Sequence, residues 1–368
     1  MISRIDLRIV ELPLVRPFRT SFGTSSGKVC VLARVEVDDV EGWGECVADD
    51  TFPGYSGEWT EGAWLLLRDT LGPKLLAEPD VSAETIEDTF RFVRGNPMAK
   101  ATLIDAVVDA ELRGRGMPLA TFLGADKDRV VCGVSIGITE TTDELRRLVD
   151  GYLADGYRRI KLKIEPGIDV ERVSAIRADH PEILLSVDAN AAYTAGDVDV
   201  FRTLDDLDLL MIEQPLHHED LVQHAALQKQ LRTAICLDES IRSAADAAAA
   251  IQLGACRIVN IKQGRVGGVL EARRVHDVCA AAGIPAWCGG MLETGIGRAT
   301  NLAVAAMPDC TLPNDTSASA RYFREDLTAP FVVEPDGTMR VPEAPGIGVS
   351  PDPGRLVACT VRHEVLLS

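Results

Sequence analysis

Five charged residues recur along the chain at a nearly constant spacing, and their types suit metal-assisted proton transfer. They are Lys163, Asp188, Glu213, Asp238 and Lys262, separated by 25, 25, 25 and 24 residues. Three carboxylates that converge on one point stay ionised only beside a cation, and an all-oxygen ligand set favours a hard divalent ion. We therefore predict that Asp188, Glu213 and Asp238 bind Mg²⁺, for which Mn²⁺ is an acceptable substitute.

The two lysines of this series flank the three acids, and a third lysine accompanies the first. Lys161 and Lys163, in the run RIKLKI, point the same way along a strand, about 6.6 Å apart. We predict that Lys163 and Lys262 act as an acid/base pair on opposite sides of a substrate carbon, while Lys161 orients Lys163 or binds the substrate carboxylate. Such a pair beside a divalent ion suits removal of a proton next to a carboxylate, because the ion stabilises the resulting enolate.

The elements that must position these residues are short β-rich runs that alternate with amphipathic helical segments. Eight such runs cover 130–137, 159–164, 183–188, 209–213, 234–238, 257–262, 284–288 and 310–313. The alternation predicts an α/β fold of right-handed βαβ units, a (β/α)8-type TIM barrel with the five charged residues at its C-terminal mouth. A doubly wound open sheet is the alternative, but no glycine-rich dinucleotide loop follows the first run.

The segment before the barrel pattern predicts a different kind of structure. Residues 4–12 and 29–37 alternate apolar and polar residues, as half-buried antiparallel strands do. The stretch 16–28 is rich in Ser, Thr and Gly and predicts a loop, whereas 57–71 and 98–115 have helical periodicity.

We predict three parts from this change of pattern. Residues 1–125 form an α+β capping domain, residues 126–320 form the catalytic barrel, and residues 321–368 pack back on the capping domain and complete it.

Composition argues against several classes of partner. The formal net charge of −18 disfavours binding to nucleic acid and to anionic membranes. No transmembrane helix is predicted, because the sequence has no run of 18 apolar residues. Nine cysteines are scattered singly, which indicates reduced thiols in a cytoplasmic protein rather than a zinc site. His217, His218 and His276 lie away from the strand ends, so a histidine base is not expected.

The motifs around these residues resemble those of a known family. The chain is similar to members of the enolase superfamily, muconate-lactonising subgroup, and within it to the o-succinylbenzoate synthases that also racemise N-acylamino acids. The resemblance covers essentially the whole chain and rests on PFRTSFG (17–23), GWGEC (42–46), GYRRIKLKIEPG (156–167), VDAN (187–190), IEQPL (212–216), CLDES (236–240), VNIKQGRVGG (259–268) and CGGMLETGIGRA (288–299).

The resemblance implies roles for individual residues. Lys163 and Lys262 match the acid/base lysines, and Asp188, Glu213 and Asp238 match the metal ligands. The supporting and substrate-lining positions that it implies are Lys161, Asn190, Ser135, Gly289, Gly290, Met291 and Glu293, together with Phe18 and Phe22 in a mobile loop (17–23) that closes over the substrate. Gln263 departs from the family pattern, which has proline after the lysine.

The function that the resemblance implies is a Mg²⁺-dependent lyase of menaquinone biosynthesis. It would dehydrate 2-succinyl-6-hydroxy-2,4-cyclohexadiene-1-carboxylate to 2-succinylbenzoate, and would also racemise N-succinyl or other N-acylamino acids. A dedicated N-acylamino acid racemase of amino-acid salvage is the alternative, and a non-catalytic enolase-like protein is a remote one. The segment 312–319 lacks the Asp-x-Asp expected of a dipeptide epimerase. The expected partners are a small-molecule carboxylate substrate and further copies of the chain, in a dimer or octamer.

Overall fold

The computed structural model, which describes residues 1–50 and 54–368, contains an antiparallel sheet followed by alternating parallel strands and helices. The strands are β1 Ile2–Thr20, β2 Gly23–Val37, β3 Val40–Glu45, β4 Arg129–Val131, β5 Gly133–Ile136, β6 Arg159–Lys163, β7 Leu184–Asp188, β8 Ile212–Glu213, β9 Ile235–Leu237, β10 Ile258–Ile261, β11 Ala286–Cys288, β12 Thr338–Arg340 and β13 Thr360–Leu367.

Helices connect most of these strands. They are α1 Thr60–Leu66, α2 Gly72–Leu76, α3 Ile86–Thr89, α4 Pro97–Gly114, α5 Leu119–Leu123, α6 Thr142–Ala154, α7 Val170–Asp179, α8 Val198–Asp205, α9 Leu221–Gln228, α10 Ala244–Leu253, α11 Gln263–Val266, α12 Val269–Ala281, α13 Gly295–Ala305, α14 Ser319–Tyr322 and α15 Pro353–Cys359. A π-helical turn, Leu67–Leu71, joins α1 to α2, and a 3-10 turn, Ala195–Asp197, precedes α8. No helix within the described residues has both the length and the apolarity to cross a membrane.

The cap is a four-stranded antiparallel sheet in the order β13-β1-β2-β3, so the last strand of the chain pairs with the first. Its buried face packs against α4, which lies so close to β3 that a Cβ at Gly44 would stand 2.0 Å from the carbonyl oxygen of Thr102. Glycine is therefore required at this point of contact. The predicted domain boundaries, after residues 125 and 320, stay predictions.

The barrel contains seven parallel strands in the order β11-β10-β9-β8-β7-β6-β5. The predicted eighth strand, 310–313, is not a regular strand, which corrects the sequence prediction. Instead, single bridges join Cys310 to Ala286 on one side and Asn314 to Cys132 on the other. The main-chain amide of Asp315 also donates to the carbonyl of Cys288, at 3.0 Å. An irregular segment thus closes the ring between β11 and β5, and the barrel with its cap confirms the predicted fold class.

The stretch predicted as a loop, 16–28, is instead the tip of the β1–β2 hairpin. Pairing continues from Phe18 with Ser25 to Thr20 with Gly23, beyond a break in register at Pro13. Ser and Thr are compatible with strands, and the barrel rim supplies the contacts that hold this tip extended. The amide of Ile138 donates to the Arg19 carbonyl at 2.8 Å, and Arg19 pairs with Glu165 at 2.7 Å.

Two buried carboxylates, Glu58 and Asp105, link α4 to neighbouring segments. Glu58 accepts from the amides of Met98 and Ala99, at 2.9 and 3.0 Å, in the first turn of α4. Asp105, further along α4, accepts from the amide of Val269 at 2.9 Å, which is the first residue of α12 in the barrel. These bonds use amides that a helix start would otherwise leave without an acceptor.

Candidate active site

The five charged residues of the repeat lie together at the C-terminal ends of adjacent barrel strands. Lys163, Asp188 and Glu213 are the last residues of β6, β7 and β8, and Asp238 and Lys262 directly follow β9 and β10. Cross-strand pairing places Lys163 opposite Asp188 and Asp188 opposite Glu213. Equal βα unit lengths therefore bring residues 25 positions apart to the same edge of the sheet.

The three acids form a compact, completely buried group. One carboxylate oxygen from each of Asp188, Glu213 and Asp238 lies within 4.8 Å of the other two, and all three residues are 0% exposed. An all-oxygen cluster of this size suits Mg²⁺ or Mn²⁺ better than a softer metal. The donor set thus fits the predicted divalent cation.

Lys163 contacts one of these acids and a supporting amide. Its Nζ donates to Asp188 Oδ2 at 2.6 Å and to Asn190 Oδ1 at 2.7 Å. Asn190 has a positive φ of 43°, which asparagine tolerates better than most residues. Its Nδ2 donates to Glu239 Oε1 at 2.8 Å, so Asn190 is held between Lys163 and a buried carboxyl group.

Lys161 contacts Asp315, a residue that the sequence prediction missed. Its Nζ lies 2.8 Å from Glu213 Oε2 and 2.7 Å from Asp315 Oδ2. Asp315 also accepts from Arg159 at 2.7 Å, and both Lys161 and Arg159 stack on the Trp287 ring. Asp315 stands at the end of the segment that closes the barrel, so it occupies the eighth strand-end position. The repeat itself could have indicated it.

Lys262, four strands from Lys163, contacts Asp238. Two further residues that the sequence prediction missed, Tyr55 and Arg265, contact the same carboxylate. Lys262 Nζ donates to Asp238 Oδ2 at 2.7 Å and to the Tyr55 hydroxyl at 3.2 Å. The buried Arg265 pairs with the other Asp238 oxygen and donates from Nη2 to the carbonyl of Asn260 at 2.7 Å. Arg265 follows Lys262 by three residues, one turn along α11, and this spacing could have indicated from the sequence that the two lie close together. Tyr55 comes from the cap, and no sequence pattern indicated that it reaches the site.

The charges of this cluster shift several pKa values. Burial alone raises the pKa of Asp188, but Lys163 and Lys161 outweigh burial and lower that pKa to about 2. Burial alone lowers the pKa of Lys262, but the carboxyl groups around it, of Glu239, Glu213 and Asp188, hold it above its ordinary value. Burial also raises the pKa of Glu239, to about 7, with a further contribution from Asp188. Asp188 is therefore ionised, and Lys262 is protonated, at neutral pH.

Comparisons with known proteins show the family of this chain. Residues 4–124 match the family model of the mandelate racemase / muconate lactonizing enzyme N-terminal domain, and residues 144–355 match the enolase C-terminal domain-like model. An N-succinylamino acid racemase from Amycolatopsis sp is 54% identical over 96% of this chain and 95% of its own. The chain belongs to the enolase superfamily, in the o-succinylbenzoate synthase/N-succinylamino acid racemase family.

Two further relatives cover this enolase-superfamily chain almost completely. An o-succinylbenzoate synthase from Geobacillus stearothermophilus is 49% identical over 95% of this chain and 94% of its own. The crystal structure of an enolase-superfamily member from Listeria innocua superposes with a TM-score of 0.95, at 40% identity, over 100% of this chain and 99% of that one. Both the cap and the barrel are therefore shared with known members.

The cavity of this family member lies between the barrel mouth and the hairpin tip. Many of the predicted site residues border it: Phe18, Phe22, Ser135, Lys161, Lys163, Asn190, Lys262, Gly290 and Met291. Gly289 and Glu293 do not. A Cβ at Gly289 would stand 2.3 Å from Asn260 Oδ1, and Glu293 Oε1 accepts from the Met291 amide at 2.7 Å. These two residues therefore shape the lining from behind, and their substrate-binding or supporting roles stay predictions.

A second group of possible ligand residues lies away from the cavity lining. His217, His218 and Glu219 also have ligand atoms within 4.8 Å of one another. They are consecutive residues after β8, and two of them are exposed. Gln263, the departure from the family pattern, is buried at the start of α11 and leaves Lys262 in contact with Asp238.

Proposed function

We propose that this protein is a Mg²⁺-dependent o-succinylbenzoate synthase that also racemises N-succinylamino acids. The observation that carries the proposal is the placement of Lys163 and Lys262, four strands apart, beside one cavity with three buried acids between them. This arrangement suits chemistry at a carbon next to a carboxylate, where a proton leaves from one face and charge is stabilised from the other.

The dehydration needs one base and one charge-stabilising group. Lys163, in its neutral form, removes the proton from the carbon that bears the ring carboxylate. The resulting ammonium then gives that proton to the departing hydroxyl group on the same face, so that water leaves and the ring becomes aromatic. Lys262 remains protonated and stabilises the negative charge from the opposite side.

The racemisation uses the same two lysines differently. One lysine removes the α-proton of an N-succinylamino acid, and the other donates its own proton to the opposite face of the same carbon. Both lysines must therefore exchange a proton with the substrate, in opposite protonation states at the start. In racemisation Lys262 must therefore transfer a proton, whereas in the dehydration it supplies only positive charge.

The residues proposed to hold the cation are Asp188, Glu213 and Asp238. A divalent cation bound there would supply positive charge at the substrate carboxylate oxygens, which lowers the energy of the developing dianion. Asn190 and Lys161 keep the flanking groups in place, because each bridges a catalytic or ligand residue to a second buried carboxyl.

The test is an assay in deuterium oxide with Mg²⁺, in which the cyclohexadiene substrate and a set of N-succinylamino acids are incubated separately with the enzyme. We expect formation of 2-succinylbenzoate, and solvent deuterium at the α-carbon of the amino acids. Deuterium reports proton removal even from a poor substrate. Absence of both signals, in enzyme shown by calorimetry to bind Mg²⁺, would reject the proposal.

A dedicated N-acylamino acid racemase is a second candidate, because the Amycolatopsis relative at 54% identity bears the racemase name. The two candidates differ in relative efficiency. If kcat/KM for the best N-acylamino acid exceeds that for the cyclohexadiene by a large factor, racemisation is the principal activity. If kcat/KM is higher for the cyclohexadiene, dehydration is the principal activity and the synthase is supported.

A further inference from the structure

A fourth lysine borders the active-site cavity, and none of the roles above uses it. Lys28 lies on β2, in the cap, and is only 5% exposed. It lines the same cavity as Lys163 and Lys262. Its Nζ donates to two main-chain carbonyls, those of Met291 at 3.1 Å and Val47 at 3.4 Å. A buried ammonium group thus stands at the junction of the hairpin, the cap and the end of β11.

Lys28 differs from the other cations of the cavity lining in its partners. Lys161, Lys163 and Lys262 each lie within 2.8 Å of a carboxylate oxygen. For Lys28, the described part of the chain places no carboxylate oxygen within 4.0 Å of Nζ. Burying a charge without an opposite charge is costly, so such groups are normally paired or face a ligand.

Two of the acids that influence the pKa of Lys28 have closer partners elsewhere. Glu45 accepts from the amide and hydroxyl of Thr294 and from the amide of Gly297, at 2.7 to 3.1 Å. Glu293 accepts from the Met291 amide, and its second oxygen lies 3.5 Å from Arg298. These acids neutralise part of the charge at a distance, and they leave the third donor position of the ammonium group without an acceptor among the described residues.

Lys28 nevertheless keeps its charge. Burial by itself lowers the pKa of its ammonium group, but the carboxylates nearby, of Glu45, Asp49 and Glu293, raise the pKa above its ordinary value. At neutral pH the cavity therefore presents a cation on the cap side, in addition to the lysines on the barrel side.

We propose that Lys28 binds the second carboxylate of a dicarboxylate substrate, the one at the far end of the succinyl chain. This rests on the proposed function, in which the first carboxylate lies among the barrel residues. Lys28 would then determine specificity for acyl chains that end in an anion over neutral acyl chains of the same length. Asp49 and Asp50 also border the cavity and oppose an anion, so Lys28 must offset their charge. Asp49 accepts from the Tyr55 amide at 2.9 Å.

The test compares two substrates that differ only at the distal group, an N-succinylamino acid and its N-succinamyl analogue, in which that carboxylate is a carboxamide. Wild type should prefer the succinyl compound by about 10-fold or more in kcat/KM, the size expected of a hydrogen bond to a charged group. Lys28→Met should lose about 10- to 100-fold with the succinyl compound and less than about threefold with the amide. Lys28→Arg should keep most of the preference.

Three results would overturn the role of Lys28. One is equal use of both compounds by wild type, which needs no variant and so does not depend on folding. The second is an equal loss on both compounds in Lys28→Met, which indicates a structural link between β2 and Met291. The third is an unchanged preference in folded Lys28→Met; if that variant does not fold, Lys28→Gln replaces it.

Binding measurements separate this inference from the proposed function. The probes are 2-succinylbenzoate and its side-chain amide, titrated into wild type and Lys28→Met with Mg²⁺ present. Preferential binding of the dicarboxylate that Lys28→Met abolishes supports Lys28 even if neither reaction occurs. Turnover of both compounds without any preference rejects Lys28 and leaves the reaction intact.

Discussion

Lys163 Nζ lies 2.6 Å from Asp188 Oδ2, and the two residues are direct partners in the pairing of adjacent parallel strands β6 and β7. The register of these strands therefore fixes the distance between the proposed base and a proposed metal ligand. A shift of either strand by one residue would turn its side chain to the other face of the sheet and separate the pair. The catalytic geometry is thus a property of the barrel itself rather than of a mobile loop.

Replacing each lysine of the proposed pair should affect the two reactions differently. Lys163→Ala should reduce kcat by about 10²- to 10⁴-fold in both dehydration and racemisation, because it removes the base in each. Lys262→Ala should reduce racemisation at least as much as dehydration, since only racemisation requires Lys262 to transfer a proton. Steady-state assays of both reactions with each variant measure this difference.

The matched control for these variants is Lys229→Ala, a lysine at the end of α9 that does not line the cavity. It should leave both reactions unchanged. Full activity of Lys262→Ala in both assays would contradict the pairing of the two lysines.

Removing one proposed metal ligand should weaken cation binding without unfolding the barrel. Asp238→Asn keeps the shape of the side chain but loses the charge that holds the cation, so the affinity for Mg²⁺ should fall by at least about 100-fold. Titration calorimetry with Mg²⁺ and with Mn²⁺ gives this value directly. Glu171→Asn, at an exposed position of α7, is the control, and equal affinities of the two variants would exclude Asp238 as a ligand.

Arg265 should act through Asp238, because its guanidinium contacts Asp238 Oδ1 and also holds the carbonyls of Asn260 and Ile241. Lysine keeps the charge but cannot bridge these three groups at once. Arg265→Lys should therefore lower Mg²⁺ affinity by about 10- to 100-fold, a typical effect for a residue that supports a ligand. The exposed Arg257→Lys is the control, and an unchanged dissociation constant in Arg265→Lys would refute this role.

The sequence predicted the strand-end residues well because one physical rule places all of them. A βα unit of constant length returns the chain to the same edge of the sheet, so spacing alone located Lys163, Asp188, Glu213, Asp238 and Lys262. The closing segment was harder, since bridges at Cys310 and Asn314 replace regular strand pairing there.

Residues outside that repeat could not be found in the same way. Tyr55 and Lys28 reach the cavity from the cap, through contacts between segments far apart in sequence, and nothing in their local motifs indicates the approach. The hairpin tip was predicted as a loop because Ser, Thr and Gly are common in loops. Its extended form depends on the contacts of Arg19 with the barrel rim, at Ile138 and Glu165.

Asp105 should make the stability of the protein depend on pH. Burial raises its pKa from 3.8 to about 7, so the folded state binds a proton in this range that the unfolded state has released. The free energy of unfolding therefore falls as pH rises through this window. Asp105→Asn still offers an oxygen to the Val269 amide but has no charge to bury. It should be more stable than wild type by up to roughly 4 kcal/mol above pH 7, with the difference shrinking towards pH 4.

Urea unfolding of wild type and Asp105→Asn across this range measures the difference, provided that unfolding is reversible. The exposed Asp80→Asn is the control, because it makes the same chemical change at a position outside the buried contacts of α4. Parallel stability curves for wild type and Asp105→Asn would mean that the buried carboxyl is stabilised as an anion. The amide of Val269, at the start of α12, would then be a stronger partner than its single hydrogen bond implies.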